Sequence, residues 1–407
     1  MGVVQRKLSR SFQAFFASEK AGGIILIVCT VVSLILANSA IGTSYQGFWH
    51  AYIGGLSIEH WVNDGLMAVF FLLIGLELER EFYSGELSSF NNALLPIFAA
   101  AGGIAVPALI HLFFNYGTAT QSGIGIPMAT DIAFALGVLA LLGSRVPASL
   151  KVFLTALAVM DDLGAIIVIA VFYTAKLSAV YLGLSFLVWA LLVILNRYFK
   201  IISLVPYLFG GILMWYLMLK SGVHATIAGV LLGFAIPFSM KEDDEDSPSH
   251  RLENFLHKPV AFFILPVFAL ANTGIVLGSD SLSTLANYNE IGIMAGLVIG
   301  KPFGITLICF TVVSLGICRL PLDLNWKHIF GAGLLGGIGF TMSIFITNLA
   351  FAAKPLEIDS SKMAILLASF TAGTIGFIFL KLFGKPEEID EDMDAMDFEA
   401  TDLPDKE

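Results

Sequence analysis

The sequence predicts an all-α integral membrane protein of about twelve transmembrane helices, with inverted repeats and two broken helices that cross at mid-membrane. Hydrophobic residues form 57% of the chain and charged residues only 13%, with a mean hydropathy of +0.85. A soluble domain carries about 25% charged residues, so this composition indicates a surface that faces lipid. Long apolar runs recur along the whole chain, and two of them are interrupted by clustered glycines.

The apolar runs define the transmembrane helices in order. Each is about long enough to cross the hydrocarbon core, which takes about 20 helical residues. The predicted spans are 20–37, 59–84, 95–114, 121–143, 150–174, 179–198, 204–220, 222–236, 257–277, 291–313, 328–350 and 359–383. The basic, amphipathic segment before the first span predicts a retained interfacial helix rather than a cleaved signal peptide.

The basic residues are distributed unequally between the two faces of this topology. When the spans alternate across the bilayer, one face carries only Lys176, Lys220, Lys354 and Lys362, and most other basic residues lie on the opposite face. Because an excess of Lys and Arg marks the cytoplasmic side, both termini are predicted to be cytoplasmic. This topology predicts a multi-pass membrane protein.

The net charge of −10 comes from the C-terminal end. Residues 386–407 contain eleven acidic residues and one lysine, which predicts a disordered cytoplasmic tail after a single transmembrane domain, 1–385. The acidic run 241–250 predicts a flexible cytoplasmic loop. Neither segment is basic, so a nucleic-acid partner is excluded. The three cysteines have no metal-ligand spacing, and no cofactor is predicted.

Two adjacent acids, Asp161 and Asp162, lie in the middle of span 150–174. A carboxylate at this depth costs about 2.5–3.5 kcal/mol on insertion scales, so a pair without a function is unexpected. Helix capping or pairing with a buried base is the alternative interpretation. Two adjacent carboxylates cannot both ionise cheaply, which suits a site that binds a proton in one state and a small cation in the other.

Two glycine-dense spans predict broken helices. Residues 123–137, GIGIPMATDIAFALG, contain Thr130 and Asp131 where free N–H groups would begin a second half-helix. Residues 333–345, GLLGGIGFTMSIF, form the counterpart about two hundred residues later. The surrounding triplets, 95–174 and 291–383, start on opposite faces and are predicted to be inverted repeats. A glycine-rich packing helix with a satisfied Asp131 is the alternative.

Lys301 is the one base near the middle of a predicted span, in GLVIGKPFGI. It is expected to offset the negative C-terminal ends of the broken half-helices and to pair with Asp161. A lysine that only extends to the interface is disfavoured, because Lys301 lies far from both ends of its span.

Several motifs together resemble the bacterial NhaA-type sodium/proton antiporters. They are FFLLIGLELERE, the run from ATDIAFALG to LAVMDDLGAI, SGVHATIAG, GKPFGI and GGIGFTMSIFI, in the order of that family and within residues 10–383. The resemblance implies that Asp162 is the principal sodium ligand, and that Asp161 takes part in proton exchange and pairs with Lys301. It also implies roles for Thr130 and Asp131 at the crossing, and for Asp161, Asp162 and Thr130 as ligands of Na⁺ or Li⁺.

The resemblance further implies a response to pH and a dimer. The residues implied in the pH response are Glu77, Arg80, Glu81, His224, Glu253 and His257. A solvated rim of charges is the alternative interpretation for the cytoplasmic cluster. In members of that family the region equivalent to 38–58 forms a β-hairpin that joins two protomers, so a homodimer is expected.

The predicted function is exchange of cytoplasmic Na⁺ or Li⁺ for external H⁺, electrogenic and activated by pH, by a transporter rather than an enzyme. One rival is an intramembrane aspartyl protease that uses Asp131 and Asp161. Its Tyr-Asp and Gly-x-Gly-Asp signatures are absent, since Asp131 follows Thr and Asp161 follows Met. A sodium-coupled symporter of related architecture is the second rival, disfavoured by Lys301 and by the lack of a motif for an organic solute.

Overall fold

The computed structural model describes residues 10–173, 177–239, 247–278, 281–352 and 354–385. Within these residues the architecture is almost entirely helical, with one short hairpin. The predicted C-terminal tail, 386–407, and most of the acidic run 241–250 lie outside the described residues. We name the helix ends inner and outer according to the predicted topology, in which the inner end faces the cytoplasm.

The N-terminal half contains most of the uninterrupted long helices. Its helices are α1 (Arg10–Ala37), α2 (Gly42–His50), α3 (Ile58–His60), α4 (Met67–Tyr83), α5 (Phe90–Asn115), α6 (Ile132–Leu141), α7 (Ala148–Phe172), α8 (Ala179–Arg197) and α9 (Val205–Ser221). A π-helical segment, Trp61–Leu66, joins α3 to α4 into one continuous span.

The C-terminal half adds the remaining helices. They are α10 (Ile227–Gly233), α11 (Pro248–Pro259), α12 (Leu265–Asn272), α13 (Ser281–Thr284), α14 (Tyr288–Ala295), α15 (Lys301–Ser314), α16 (Trp326–Gly336), α17 (Phe340–Ala350) and α18 (Pro355–Phe383). The π-helical segments Val260–Ile264 and Gly296–Gly300 join α11 to α12 and α14 to α15.

Eight helices in the described residues are long and apolar enough to cross a bilayer, and two bent pairs raise the number to ten. The predicted multi-pass, all-α architecture is therefore confirmed. Of the other two predicted spans, α9 has 17 helical residues, close to the length required. The predicted span 222–236 contains only the seven-residue α10, so the expectation of a full helix there is wrong.

The ends of two other predicted spans also shift. The helix predicted at 257–277 begins at Pro248 and ends at Asn272, because Ser247 caps its first turn by accepting a hydrogen bond from His250 N. Residues 273–278 continue without helical structure. The first helix starts at Arg10, ten residues before the predicted span, as a continuous extension of it.

The outer segment 38–58 contains a helix and a hairpin. Helix α2 leaves α1 at an angle of 114°. Strands β1 (Tyr52–Ile53) and β2 (Leu56–Ser57) then pair antiparallel, with Tyr52 opposite Ser57. Gly54 and Gly55 form the two-residue turn with φ of +64° and +89°, a conformation that favours glycine.

Two spans are interrupted where the sequence predicts breaks. In the first, a 3₁₀ helix, Gln121–Met128, is followed by three non-helical residues before α6 begins at Ile132. In the second, α16 ends at Gly336 and α17 begins at Phe340, with a bend of 47°. Each interrupted span lies between two long helices, α5 and α7 in one triplet and α14–α15 and α18 in the other.

The first helices of the two triplets, α5 and α15, cross at closely packed glycines. A Cβ atom added at Gly102 would lie 2.3 Å from the carbonyl oxygen of Gly304, and one added at Gly304 would lie 2.3 Å from that of Gly102. Only glycine allows two helix backbones to approach this closely. The crossing brings Lys301, one turn before Gly304, into the interior next to α7 and the breaks.

Candidate functional site at the crossing of the broken helices

The two interruptions touch each other directly. The backbone N–H of Asp131 donates to the carbonyl oxygen of Ile338 across 2.7 Å. The hydroxyl of Thr130 donates to the carbonyl oxygen of Gly336, the last residue of α16, across 2.8 Å. Backbone groups left free by one break are therefore paired with groups of the other break, as an interior without water requires.

Asp131 caps two half-helices at once. Its Oδ1 accepts a hydrogen bond from Phe134 N in the first turn of α6, at 2.9 Å. Its Oδ2 accepts from the N–H of Thr341 in the first turn of α17, at 3.0 Å, and from the hydroxyl of the same residue, at 2.5 Å. One carboxylate thus satisfies free donors at two helix N-termini, where the helix dipoles favour negative charge.

Lys301 lies at the opposite, C-terminal, side of the first break. Its side chain is fully buried, and its ammonium group donates to the carbonyl oxygen of Met128, at the end of the 3₁₀ helix. The same ammonium donates to Oδ2 of Asp161 across 2.5 Å. The sequence predicted both contacts of Lys301 by type, with a half-helix C-terminus and with Asp161.

Asp161 and Asp162 have very different surroundings although they are adjacent. Oδ2 of Asp161 accepts from Lys301 and lies 2.6 Å from the hydroxyl oxygen of Thr130, whose single proton is shared between this carboxylate and the carbonyl oxygen of Gly336. Oδ1 of Asp161 and both oxygens of Asp162 have no hydrogen-bond partner among the described residues. Asp162 is completely buried, and three carboxylate oxygens of this pair therefore lie without a donor among the described residues.

The chain matches a known protein family. The family described as Na⁺/H⁺ antiporter 1 matches residues 13–380, which is most of the chain. The chain belongs to the Na⁺/H⁺ antiporter 1 family.

Named relatives agree with this assignment. The Na⁺/H⁺ antiporter NhaA of Dechloromonas aromatica (strain RCB) is 70% identical over 383 residues, 94% of this chain and 98% of the relative. NhaA of Cytophaga hutchinsonii is 60% identical over 376 residues, 92% and 96% of the two chains. NhaA of Vibrio campbellii is 50% identical over 381 residues, 93% and 97% of the two chains.

A second group of charged residues in this Na⁺/H⁺ antiporter 1 family member lies at the inner end of α4. Arg80 donates to Glu253 of α11 across 2.6 Å and to Glu81 across 3.1 Å. The ring of His257 lies between Glu77 and Glu253, with nitrogen–oxygen distances of 3.7 Å to each. The structure thus brings five of the six residues predicted for the pH response into one cluster, which we call the inner cluster.

The sixth residue, His224, lies elsewhere. It precedes α10, and its Nε2 is 3.0 Å from the carbonyl oxygen of Tyr173, at the outer end of α7. Helix α10 packs along α4 with Gly229 against Ala68 and Gly233 against Gly75, so His224 is near the start of that span. Along the α4 span, the position beside His224 precedes Glu77 by about 13 residues, which corresponds to about 20 Å of helix. The structure does not bring His224 to the inner cluster.

The sequence analysis missed an acid beside the inner cluster. Glu79 is 4% exposed, and its Oε2 accepts a hydrogen bond from the hydroxyl of Ser249 across 3.3 Å. The ELERE motif contains this residue, but the family resemblance implied roles only for Glu77, Arg80 and Glu81. The position of α11 decides which residues of α4 contact it. Without that position, the sequence does not distinguish the role of Glu79 from those of Glu77 and Arg80.

An outer cavity of about 520 Å³ was also not predicted. At the cavity, Asn272 donates to Asn63 across 2.8 Å and accepts from Asn348 across 2.6 Å. Beside this triad, the ring of Phe345 packs against Phe71 and Phe268 at centroid distances of 5.4 and 6.5 Å. These contacts join α17, which follows the second break, to the α4 and α12 spans beside the outer cavity.

Thr341 and Met128 are the other contributors that sequence reasoning did not identify. Thr341 lies in the first turn of α17, directly after the second break, where a backbone N–H is free to bond a capping side chain. Its position therefore offered a signal. Met128 contributes only its backbone carbonyl oxygen, and no residue type could have indicated that contact.

Proposed function

We propose that this protein exchanges cytoplasmic Na⁺ or Li⁺ for external H⁺. Its relatives are named Na⁺/H⁺ antiporters. The supporting observation is the fully buried Asp162, whose two oxygens have no donor among the described residues. A bare carboxylate in such surroundings is unstable. It therefore carries either a proton or a cation, and the two ligands compete for the same oxygens.

The oxygens around Asp162 suit a small, hard cation. Both Asp162 oxygens and Oδ1 of Asp161 are available, and the Thr130 hydroxyl oxygen lies 2.6 Å from Asp161. Carboxylate and hydroxyl oxygens are the ligands that hard cations prefer. Asp161, Asp162 and Thr130 are therefore proposed to bind Na⁺ or Li⁺, while Asp131 holds the two half-helices in place around them.

Lys301 couples cation binding to Asp161. Its ammonium occupies Oδ2 of Asp161, so a cation that takes Asp161 as a ligand must displace the ammonium or share the carboxylate with it. Proton release from this pair then accompanies cation binding. If about two protons exchange for each sodium ion, each cycle moves one charge, which the membrane potential drives with about 2.3 kcal/mol per 100 mV.

The crossing also supports alternating access. Thr130, Asp131 and Thr341 donate four hydrogen bonds between the two breaks, so α6 and α17 are expected to move as one body. Movement of this body would replace the Asn63–Asn272–Asn348 contacts with an opening to the outer cavity. External protons would then displace the cation from Asp162.

The inner cluster is proposed to make exchange depend on cytoplasmic pH. Glu77, Arg80, Glu81, Glu253 and His257 connect α4 to α11 through ion pairs whose strength depends on protonation. His224, predicted to contribute to the pH response, would have to act from the outer end. The proposed location is the bacterial inner membrane with both termini cytoplasmic.

The outer segment is proposed to join two copies of the chain. The β1–β2 hairpin presents exposed Tyr52 and Ile53, a pair of apolar side chains that a second protomer could cover. Deletion of residues 52–57 is expected to convert a dimer into a monomer by native mass spectrometry in a mild detergent. A wild-type protein that is monomeric in lipid nanodiscs would contradict the dimer.

Exchange is tested in proteoliposomes that contain a pH-sensitive dye. Addition of Na⁺ or Li⁺ should dissipate an imposed pH gradient without any organic solute, and K⁺ serves as the comparison ion. The Asp162→Asn variant should show no dissipation while inserting normally. Gradient dissipation by that variant at the wild-type rate would exclude Asp162 as the exchange site, and dependence on an organic solute would favour a symporter.

The protease rival receives no geometric support. Asp131 is engaged with Phe134 and Thr341, whereas Asp161 is engaged with Lys301 and Thr130. The two acids do not share a hydrogen bond in the described residues, as a catalytic aspartyl pair would.

A further inference from the structure

Three possible metal ligands converge from two helices in the inner cluster. Glu77 belongs to α4, whereas Glu253 and His257 lie one turn apart on α11. One ligand atom from each residue lies within 4.8 Å of the ligand atoms of the other two. Glu77 and Glu253 are buried and His257 is mostly enclosed, with side-chain exposures of 8%, 3% and 16%.

The distances within this group are compatible with ligands of one ion. One ring nitrogen of His257 would bind the ion; each ring nitrogen lies 3.7 Å from a carboxylate oxygen, and one ligand atom from each of the three residues lies within 4.8 Å of the other two. Around a tetrahedral zinc ion, bond lengths of about 2.0–2.2 Å separate neighbouring nitrogen and oxygen ligands by about 3.4 Å. Shifts of about 1 Å or less in these side chains would therefore bring three ligands to one ion.

The surrounding charges also favour a cation. The group contains three carboxylates and one guanidinium: Arg80 pairs with Glu81 and Glu253, and Glu77 lies beside His257. Arg80 contacts only Oε1 of Glu253 in the described ion pairs, so rotation of that carboxylate offers its other oxygen to an ion. Neutral imidazole beside two carboxylates is a ligand set for divalent transition ions, whereas Na⁺, Ca²⁺ and Mg²⁺ prefer oxygen alone.

We propose that Glu77, Glu253 and His257 form a binding site for a divalent transition-metal ion, with water completing its coordination, separate from the exchange site at Asp162. The bound ion links α4 to α11, since it draws one ligand from the first helix and two from the second. Binding does not depend on the proposed exchange activity. Its effect on transport does, because an ion that ties these helices together opposes their relative movement and slows exchange.

Binding is measured on the purified full-length protein without a histidine tag, with Zn²⁺ alone as the probe, by isothermal titration calorimetry. The wild-type protein should bind one ion, and His257→Ala and Glu77→Gln should each raise the dissociation constant by more than about tenfold. His250→Ala is the matched control, because His250 lies on the same helix but bonds to Ser247. Its affinity should equal that of the wild type.

A spectroscopic measurement distinguishes ligand loss from misfolding. Co²⁺ in the wild-type protein should give visible absorption bands that are lost in His257→Ala and retained in His250→Ala. Equal Zn²⁺ affinity in the wild type and in both ligand variants would overturn the proposal, as would a Co²⁺ spectrum unaffected by His257→Ala.

Transport is then measured in everted vesicles, where the inner cluster faces the added ion. Zn²⁺ should slow Na⁺-driven proton movement in the wild type and in His250→Ala but not in His257→Ala. Inhibition of equal size in His257→Ala would overturn the effect on transport. If no vesicle shows exchange while Zn²⁺ still binds as expected, the failure belongs to the proposed exchange and the metal site stands.

Discussion

Lys301 donates a hydrogen bond to Asp161 across 2.5 Å, whereas Asp162, the next residue of the same helix, has no partner among the described residues. Successive residues on a helix point about 100° apart, so the two acids face different neighbours. Asp161 faces α15 and the first break, where it completes an ion pair. Asp162 has no such partner, and we propose that it binds the transported cation.

The Asp161→Asn and Asp162→Asn variants should therefore differ in stability. Asp162→Asn removes no hydrogen bond, and its thermal unfolding temperature in detergent should stay at or above the wild-type value. Asp161→Asn leaves the ammonium of Lys301 buried without a counter-ion, which costs about 3–5 kcal/mol when one partner of a buried pair is removed. Its unfolding temperature should fall clearly.

Fluorescence-detected size-exclusion chromatography after heating gives the comparison in one detergent. The Asp161→Asn, Lys301→Gln double variant is the control, since it removes both charges and should recover most of the loss. Equal unfolding temperatures for the two single variants would show that the ion pair does not distinguish the two acids.

Lys301→Ala should alter the coupling of exchange more than the affinity for the cation. Without the ammonium, Asp161 loses the group that competes with an incoming ion, so Na⁺ still binds while the proton balance of the cycle changes. Solid-supported membrane electrophysiology measures the charge moved per turnover, and fluorescence of a pH dye gives the apparent affinity. An unchanged charge movement and an unchanged pH profile would remove Lys301 from the mechanism.

The buried charged residues of the proposed exchange site could be identified largely from residue types. Asp161, Asp162 and Lys301 are charged residues in apolar spans, and the cost of burying a charge identifies them without structural information. Glycines 123 and 125 with Pro127 likewise indicated the first break. A crossing of the breaks was predicted, but its individual contacts could not be derived, because they join residues about two hundred positions apart, such as Thr130 and Gly336.

The segment around α10 shows that hydropathy alone does not predict the length of a helix. The run 222–236 is apolar enough to be read as a span, but Gly222 ends α9 in a left-handed conformation with φ of +84° and Gly233 packs on α4. Close contact with another helix buries this segment, so it remains apolar without being helical throughout. Hydropathy records burial and lipid exposure alike, and only tertiary contacts separate the two.

Asp131 should stabilise the crossing through both half-helices. Removal of one N-cap acceptor typically costs about 0.5–2 kcal/mol, and Asp131→Ala removes acceptors from α6 and α17 together. Thr341→Val removes only the hydroxyl contact and keeps the backbone cap. The fall in unfolding temperature should be larger for Asp131→Ala than for Thr341→Val.

Exchange rates measured on the same variants test whether Asp131 positions the half-helices. We expect Asp131→Ala to lose most exchange and Thr341→Val to lose less, in the order of their stability. A fully active Asp131→Ala protein would show that the double cap is not required at the crossing.

The contact between Gly102 and Gly304 should tolerate no side chain. An alanine Cβ at Gly102 would lie 2.3 Å from a backbone oxygen that cannot rotate away, so α5 and α15 must separate. Overpacking of this kind costs about 1–3 kcal/mol, and separation of the helices also displaces Lys301 from Asp161. Gly102→Ala and Gly304→Ala should each lower the unfolding temperature and the exchange rate.

Gly183→Ala in α8 is the matched control, because its Cβ would meet no heavy atom within 4 Å among the described residues. If Gly183→Ala and Gly102→Ala lower stability equally, the loss reflects a general intolerance of alanine and not the crossing of α5 with α15.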